Sequence, residues 1–283
     1  MNYGPCLACE GKTRLWGPKP DRNYVRCRSC GTVQLDPVPT EAELRELYAE
    51  EYVHTGHQLS CDTIRRIRER QNRYSLKLID KWCPPGPILE VGPGWGFILE
   101  GLRDAGRECI GIEPGESHTT RLRELGFQVE RKYLEDLPAG FSDFSGVFLS
   151  NVFEHLANPA DSLGKLVSVL QDDGRVIIQQ PTGYLGPFIG RALYHLRREK
   201  YIPDLGPWLA SPYHIFLVSP PGMKRLCERV GLRLYDVLAL PGENRSGLGA
   251  LVNGCYDTVN RVALRITRRW PLVASHYFII GRK

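Results

Sequence analysis

Short apolar runs alternate with amphipathic stretches from Ile88 onward, and this rhythm predicts strands separated by helices. "PILEVG" reads as a strand, and "GFILEGLRDAG" as a helix ending at Gly106. "ECIGIEP" is the next strand, and "SHTTRLRELG" the next helix, with Ser117 as its cap. "FQVER" and "FSGVFLSN" supply a third and a fourth strand. "PADSLGKLVSVLQDDG" predicts a helix ending in a turn, and "RVIIQQP" a fifth strand. Strands separated by helices of about 10–15 residues predict an α/β fold, a parallel sheet covered by helices on both faces.

On either side of that region the rhythm loosens. "TEAELRELYAEEY" predicts a short helix capped by Thr40, with Glu43 as its capping-box partner. A second helix runs from Asp62 to Trp82, with Ile64, Ile67, Tyr74 and Leu78 at helical spacing, and "CPPGP" ends it. Beyond Pro181, residues 182–218 read as an irregular insertion with one short helix. "SPPGMKRLCERVGL" restores a helix capped by Ser219. "RLYDVLAL" and "HYFIIGRK" predict the last pair of strands, with a helix or two between them in "LVNGCYDTVNRVALRITRRWP".

Composition narrows the class without naming it. The 283 residues are 42% hydrophobic and 24% charged, ordinary for a globular protein. A net charge of +5, from 37 basic and 32 acidic residues, is not a nucleic-acid-binding signature. No window approaches the roughly 18 consecutive apolar residues of a membrane span. "MNYGPCLACEGK" lacks the apolar core of a secretory signal, so a cytoplasmic protein is expected.

The first chemical feature is "EVGPGWG", which sets Gly92, Gly94 and Gly96 at alternate positions directly after a strand. Such a turn can hold a nucleotide, a phosphate, or only a tight corner. The G-x-G-x-x-G of dinucleotide folds is not met, because Phe97 stands three residues after Gly94. Glu90 would repel a pyrophosphate, but it can accept a hydrogen bond from a ligand's ammonium or order the turn. Glu113 ends the second strand, where a carboxylate can take both hydroxyls of a ribose.

At these residues the chain resembles the class I S-adenosylmethionine (SAM) dependent methyltransferases. "ILEVGPGWGFILEGL" is similar to their first glycine motif, "GIEP" to their second-strand acid, and "KYLEDLP" to the segment that flanks the adenine. "NVFEHLANPADSLGKLVSVLQDDGRVIIQQP" resembles their fourth strand, helix and fifth strand. The resemblance implies a doubly wound, mostly parallel seven-stranded sheet of Rossmann-like type. It implies SAM as cofactor, held by Glu90, Gly92, Gly94, Gly96, Glu113, Leu134, Glu135 and Asn151. One departure is visible, since many relatives carry an acid where Tyr133 stands; the adenine would then rely on backbone near Leu134, on Glu135, or on packing against Tyr133.

Nine cysteines form two groups. Cys61, Cys83, Cys109, Cys227 and Cys255 are scattered, and an odd total argues against a disulfide framework. Cys6, Cys9, Cys27 and Cys30 form two CxxC pairs separated by 17 residues, Glu10 to Arg26. That spacing predicts a four-thiolate zinc site with no open position, hence a structural Zn²⁺. Zinc ribbons also occur in nucleic-acid-binding proteins, and Lys12, Arg14, Lys19, Arg22, Arg26 and Arg28 leave that open. The segment from "DRNYVRCRSCG" to "YAEEY" is similar to the front of one methyltransferase branch, whose ribbon walls the substrate cleft and whose members serve glycan and natural-product pathways. The expected divisions are a ribbon over 1–39, a helical lid or linker over 40–87, and a methyltransferase domain over 88–283.

Two histidines have settings suited to catalysis. His155 follows Glu154 just past the fourth strand, where open parallel sheets place their ligands, and His214 lies before the helix capped by Ser219. Either is a candidate general base, and loop-fixing or capping is the alternative for each. His54 and His57, with Tyr52, fall in a segment expected as a lid, and Tyr213 is a further pocket candidate. His118 and His195 are expected on solvated helix faces, and His276 in a strand. The arginines of "TIRRIRERQNRYSLK" read as a solvated face, with phosphate recognition as the lesser alternative. "NRVALRITRRWP" with "YLGPFIGRALYHLRREK" could meet an anionic membrane surface, or simply pack on the sheet. The expected function is methyl transfer from SAM to oxygen or carbon of a small, sugar-like or natural-product acceptor. An RNA-modifying methyltransferase and a non-catalytic SAM-binding module are the other readings.

Overall fold

A computed structural model describes residues 3–51, 60–138, 140–181, 185–197, 200–202, 214–244, 254–255, 257–260, 262–263, 266 and 275–283. At the front, β1 (Thr13–Pro18), β2 (Asn23–Cys27) and β3 (Val33–Asp36) form an antiparallel meander. A fourth strand joins it from far along the chain: β9 (Phe216–Leu217) pairs with β3 through Val33↔Leu217 and Gln34↔Phe216. The sheet of the cysteine segment is therefore completed by residues beyond 1–39.

Two helices follow. α1 (Glu41–Glu51) opens with the expected capping box, Thr40 and Glu43 bonding each other's amides reciprocally. α2 (Cys61–Trp82) is capped by Ser60 and buries Ile64, Leu78 and Ile79, the last two in one apolar cluster with Ile88, Phe148 and Ile279 of the main sheet. The arginine face of α2 is exposed, as expected, and three of its arginines also form ion pairs: Arg65 with Glu100, Arg70 with Asp257 and Arg73 with Glu69.

The main sheet contains β4 (Ile88–Val91), β5 (Cys109–Ile112), β6 (Val129–Glu130), β7 (Phe144–Ser150), β8 (Leu170–Pro181), β10 (Leu232–Ala239) and β11 (Ser275–Arg282). Its order is β10-β11-β8-β7-β4-β5-β6, seven strands of which β10, β11 and β8 meet antiparallel and the rest parallel. This is the expected mostly parallel α/β sheet. All four residues of β4 are buried, Glu90 included, as in a strand covered on both faces. α3 (Phe97–Asp104) and α4 (Glu116–Glu124) connect β4 to β5 and β5 to β6, and α5 (Pro159–Ser168) connects β7 to β8. From β4 the chain builds outward through β5 and β6, then returns to place β7 on the other side of β4. This reversal opens a crevice at the carboxyl ends of β4 and β7.

Two local expectations change. α4 begins at Glu116 after an N-cap Gly115 that makes no side-chain bond, so Ser117 lies inside the first turn and is not the cap. Glu113 takes the acceptor's part instead, receiving the Gly115 amide at 2.9 Å. α5 ends at Ser168, and β8 already starts at Leu170. The ladder then skips from Phe144↔Leu170 to Gly146↔Arg175, so the polar run before Arg175 is an irregularity inside the strand and not a helix end. α6 (Leu185–Leu196) lies in the insertion, and α7 (Pro220–Arg229) starts at Ser219, whose hydroxyl accepts from the Gly222 amide. No helix among the described residues is long and apolar enough to cross a membrane.

Candidate active site

The turn after β4 is built on left-handed glycines. Gly94 and Gly96 have φ of 51° and 77°, a region that favours residues lacking Cβ. At Gly96 a Cβ would stand 2.3 Å from Leu122, whereas at Gly94 it would meet nothing within 4 Å. Gly92 also has positive φ, and its missing side chain admits Val152. So Gly92 and Gly96 let neighbours pack closely, and Gly94 leaves open space above the turn.

Two buried carboxyls face this turn. Glu113 accepts the Gly94 amide at 3.2 Å and the Gly115 amide at 2.9 Å. Burial raises its pKa, and those two amides oppose the shift. Glu90, on β4, is pushed up to about 8, chiefly by burial; a hydrogen bond from the Leu99 backbone opposes this and nearby Glu113 adds to it.

A cavity of about 940 Å³ spans these groups and the loop after β7. Glu90, Gly92, Gly94, Glu113, Leu134, Glu135 and Asn151 all line it, while Gly96 supports the turn from beneath. Leu134 and Glu135 belong to a short 3₁₀ turn. α1 ties this turn down, with Arg45 bonding both oxygens of Asp136 at 3.0 and 2.8 Å and lying 4.4 Å over the Tyr133 ring. Asn151 has φ of 53°, and its amide bonds the Gln179 carbonyl at 2.9 Å, which turns the chain sharply off β7.

That turn leads into Phe153–His155, a 3₁₀ segment. Phe153 is fully buried against Phe216 of β9, their ring centroids 6.1 Å apart. Glu154 is fully buried, neither of its oxygens has a hydrogen-bond partner, and burial pushes it up to about 8. His155 Nε2 stands 3.9 Å from Glu154 Oε1, and the ring lies 5.0 Å from that of His214. Burial lowers His155 to about 4, opposed by a hydrogen bond to the Asn151 backbone. The fold thus brings His155 and His214 together across a residue separation no local pattern reveals. One ligand atom from each of Glu154, His155 and His214 lies within 4.8 Å of the others, a set that could hold a cation.

Several cavity residues were not anticipated. Trp95 and His118 line it edge-on to each other at 5.5 Å, with His118 half-buried. Arg68 and Asn72 of α2 and Leu44 of α1 also line it. His195 is exposed on α6, and His276 is buried in β11, where burial lowers it to about 3. Tyr52, His54, His57 and Tyr213 lie outside the described residues.

The second cluster is the cysteine set. Sγ atoms of Cys6 and Cys30 are 3.6 Å apart, and those of Cys9 and Cys27 are 3.5 Å apart. Zinc–sulfur bonds of about 2.3 Å in a tetrahedron require sulfurs about 3.8 Å apart, which these distances fit closely. Amides of Ser29 and Cys30 point at Cys27 Sγ at 3.4 Å, as in a metal-binding knuckle. The remaining cysteines are free, and burial pushes Cys83 and Cys227 up to about 12, unreactive as small apolar residues are.

A family profile described as "Methyltransferase domain" matches residues 52–237. The chain belongs to this family. With this fold and cavity the methyltransferase is of the SAM-dependent class I type. It is 27% identical over 167 residues to a ubiquinone biosynthesis O-methyltransferase of Acinetobacter baylyi, covering 54% of this chain and 66% of that protein. It is 29% identical over 185 residues to the protein of the same description from Nitrosococcus oceani, covering 60% and 74%. Among solved structures, the 1,6-didemethyltoxoflavin-N1-methyltransferase of Burkholderia thailandensis superposes with a TM-score of 0.58 at 12% identity, covering 94% of this chain and 97% of that one. The CcbJ methyltransferase from Streptomyces caelestis gives 0.52 at 14% identity, over 75% and 90%.

Proposed function

We propose that this methyltransferase moves the methyl group of SAM to an oxygen or carbon of a small-molecule acceptor, sugar-like or of natural-product type. The observation that carries the reading is the single cavity shared by the glycine turn, Glu113 and the Glu154–His155–His214 group. In this reading Glu113 takes the ribose, Glu90 and the turn take the methionine end, and Leu134, Glu135 and Asn151 border the nucleoside. Proximity of acceptor and sulfonium methyl supplies much of the rate. His155 or His214 removes the acceptor's proton. Similarity to proteins described as a ubiquinone biosynthesis O-methyltransferase supports a small acceptor. The four cysteines hold a structural zinc.

Calorimetry with SAM tests the core of this: binding by the unaltered protein and its loss in Glu113→Ala are expected, and no binding at millimolar SAM would overturn it. Methyl transfer that survives both His155→Ala and His214→Ala removes the two bases.

The buried carboxylate of Glu154, without a hydrogen-bond partner, favours a second reading of the same end of the cavity. Glu154, His155 and His214 would together hold a divalent cation, which would acidify a coordinated acceptor hydroxyl. Manganese binding seen by electron paramagnetic resonance, and abolished by Glu154→Gln, would select it.

A further inference from the structure

The segment that carries His214 is fastened at both ends to the cysteine ribbon. The His214 carbonyl accepts the hydroxyl of Tyr24, a fully buried residue of β2, at 3.0 Å. The next residue bridges two elements: the Ile215 carbonyl accepts the Leu35 amide at 2.9 Å, and the Ile215 amide bonds the Glu154 carbonyl at 2.9 Å. Further on, the Ser219 hydroxyl donates to the Cys30 carbonyl at 2.6 Å, and the Ser219 amide to the Thr32 hydroxyl at 3.3 Å. From α7, Arg229 bonds the carbonyls of Leu7 and Ala8 at 2.8 and 3.0 Å, beside the first cysteine pair. Gly94 and Glu113, by contrast, bond each other and α4.

We propose that the ribbon is the positioning frame of the acceptor side of the site, with Tyr24 as the residue that fixes His214. Tyr24 lies three residues before Cys27, on the strand that ends at the four-cysteine cluster. The geometry of that cluster therefore reaches His214 through one strand and one hydroxyl, without passing through the main sheet. Tyr24 touches neither cofactor nor reacting atoms, so its part is to hold His214 beside His155. The inference rests on the reading of His214 as an acceptor-facing group.

The test uses the full chain carrying its ribbon metal, with histidine labelled at Cε1 and the His214 resonance assigned by its loss in His214→Asn. Tyr24→Phe keeps the ring and removes the donor. The expected result is a displaced or broadened His214 resonance, with His118 and His276 unmoved, metal content unchanged, and affinity for S-adenosylhomocysteine (SAH) within about twofold. Stepwise chelation of the unaltered protein supplies a second measurement, in which His214 moves in step with metal loss while SAH still binds. A His214 resonance that stays in place in both experiments overturns the proposal. So does a joint shift of every histidine with loss of SAH binding, because that makes the ribbon a contributor to overall stability alone. If the unaltered protein fails to bind SAH, the functional reading falls, and the histidine shift still decides whether the ribbon positions His214.

Discussion

Glu113 and Glu90 are both buried, yet their roles in the cavity differ through the groups that reach them. Glu113 receives two backbone amides that define the glycine turn, so its charge both orders the turn and faces the ligand. Hydrogen bonds to charged groups contribute about 1.5–3 kcal/mol, so Glu113→Gln is expected to weaken SAM binding by about 10- to 100-fold in calorimetry. Glu90, raised to about 8 by burial first, predicts a pH effect on stability. Its unfolded value is about 4.3. Between those two values the folded state binds more protons than the unfolded one, so stability falls as pH rises through the window. Thermal denaturation of Glu90→Gln should show its advantage over the unaltered protein growing from pH 5 to pH 8, and parallel curves would refute the assignment. His155, lowered to about 4, acts in the opposite direction: its contribution is lost as pH falls below the ordinary histidine range. The glycines and Glu113 were legible in sequence because their spacing is local. Complete burial of Glu154 was not, because Phe216, which packs on its neighbour Phe153, lies far along the chain.

At the level of elements, the strand–turn–helix unit of β4 and α3 separates two kinds of glycine. Gly96→Ala places a methyl 2.3 Å from Leu122 and forces alanine into a left-handed φ. Left-handed strain costs about 1–2 kcal/mol and overpacking about 1–3 kcal/mol, so a loss of about 2–5 kcal/mol is expected in urea unfolding. Gly94→Ala meets only the strain, and its methyl stands in open space on a cavity-lining residue. It should lose about 1–2 kcal/mol of stability and a larger share of SAM affinity. Equal stability losses in the two variants would contradict this division. Thr40, Ser60 and Ser219 cap their helices through side-chain oxygens. Thr40 and Ser219 were readable in advance because capping uses residues within three positions. Ser117 misled because the acceptor near that helix start comes from Glu113, just past the preceding strand. The closure of α1 over the cavity, through Arg45 to Asp136 and Tyr133, depends on a contact across 91 residues and leaves no periodic trace.

Across the whole molecule, the parallel character of the sheet follows from the alternation of elements, whereas the union of ribbon and catalytic fold is made by contacts far apart in sequence, among them the two residues of β9, too short to register as a strand. The charge distribution bears on the RNA reading, which needs a run of basic groups available to phosphates. The net charge of +5 is modest, and three arginines of the most basic helix are already held in ion pairs. On α2, Arg65 is engaged by Glu100, Arg70 by the buried Asp257, and Arg73 by Glu69. In the ribbon, Arg22 pairs with Glu43, and Arg26 lies over the Trp16 ring. Binding phosphates at these positions would first break existing pairs, and at about 0.15 M salt the longer-range attraction is screened beyond about 8 Å. Fluorescence anisotropy with a labelled RNA hairpin at that salt should therefore give a Kd no tighter than about 10⁻⁴–10⁻⁶ M, the non-specific range. A complex several orders tighter, weakened by salt and lost in Arg65→Ala or Arg70→Ala, would instead make RNA the acceptor.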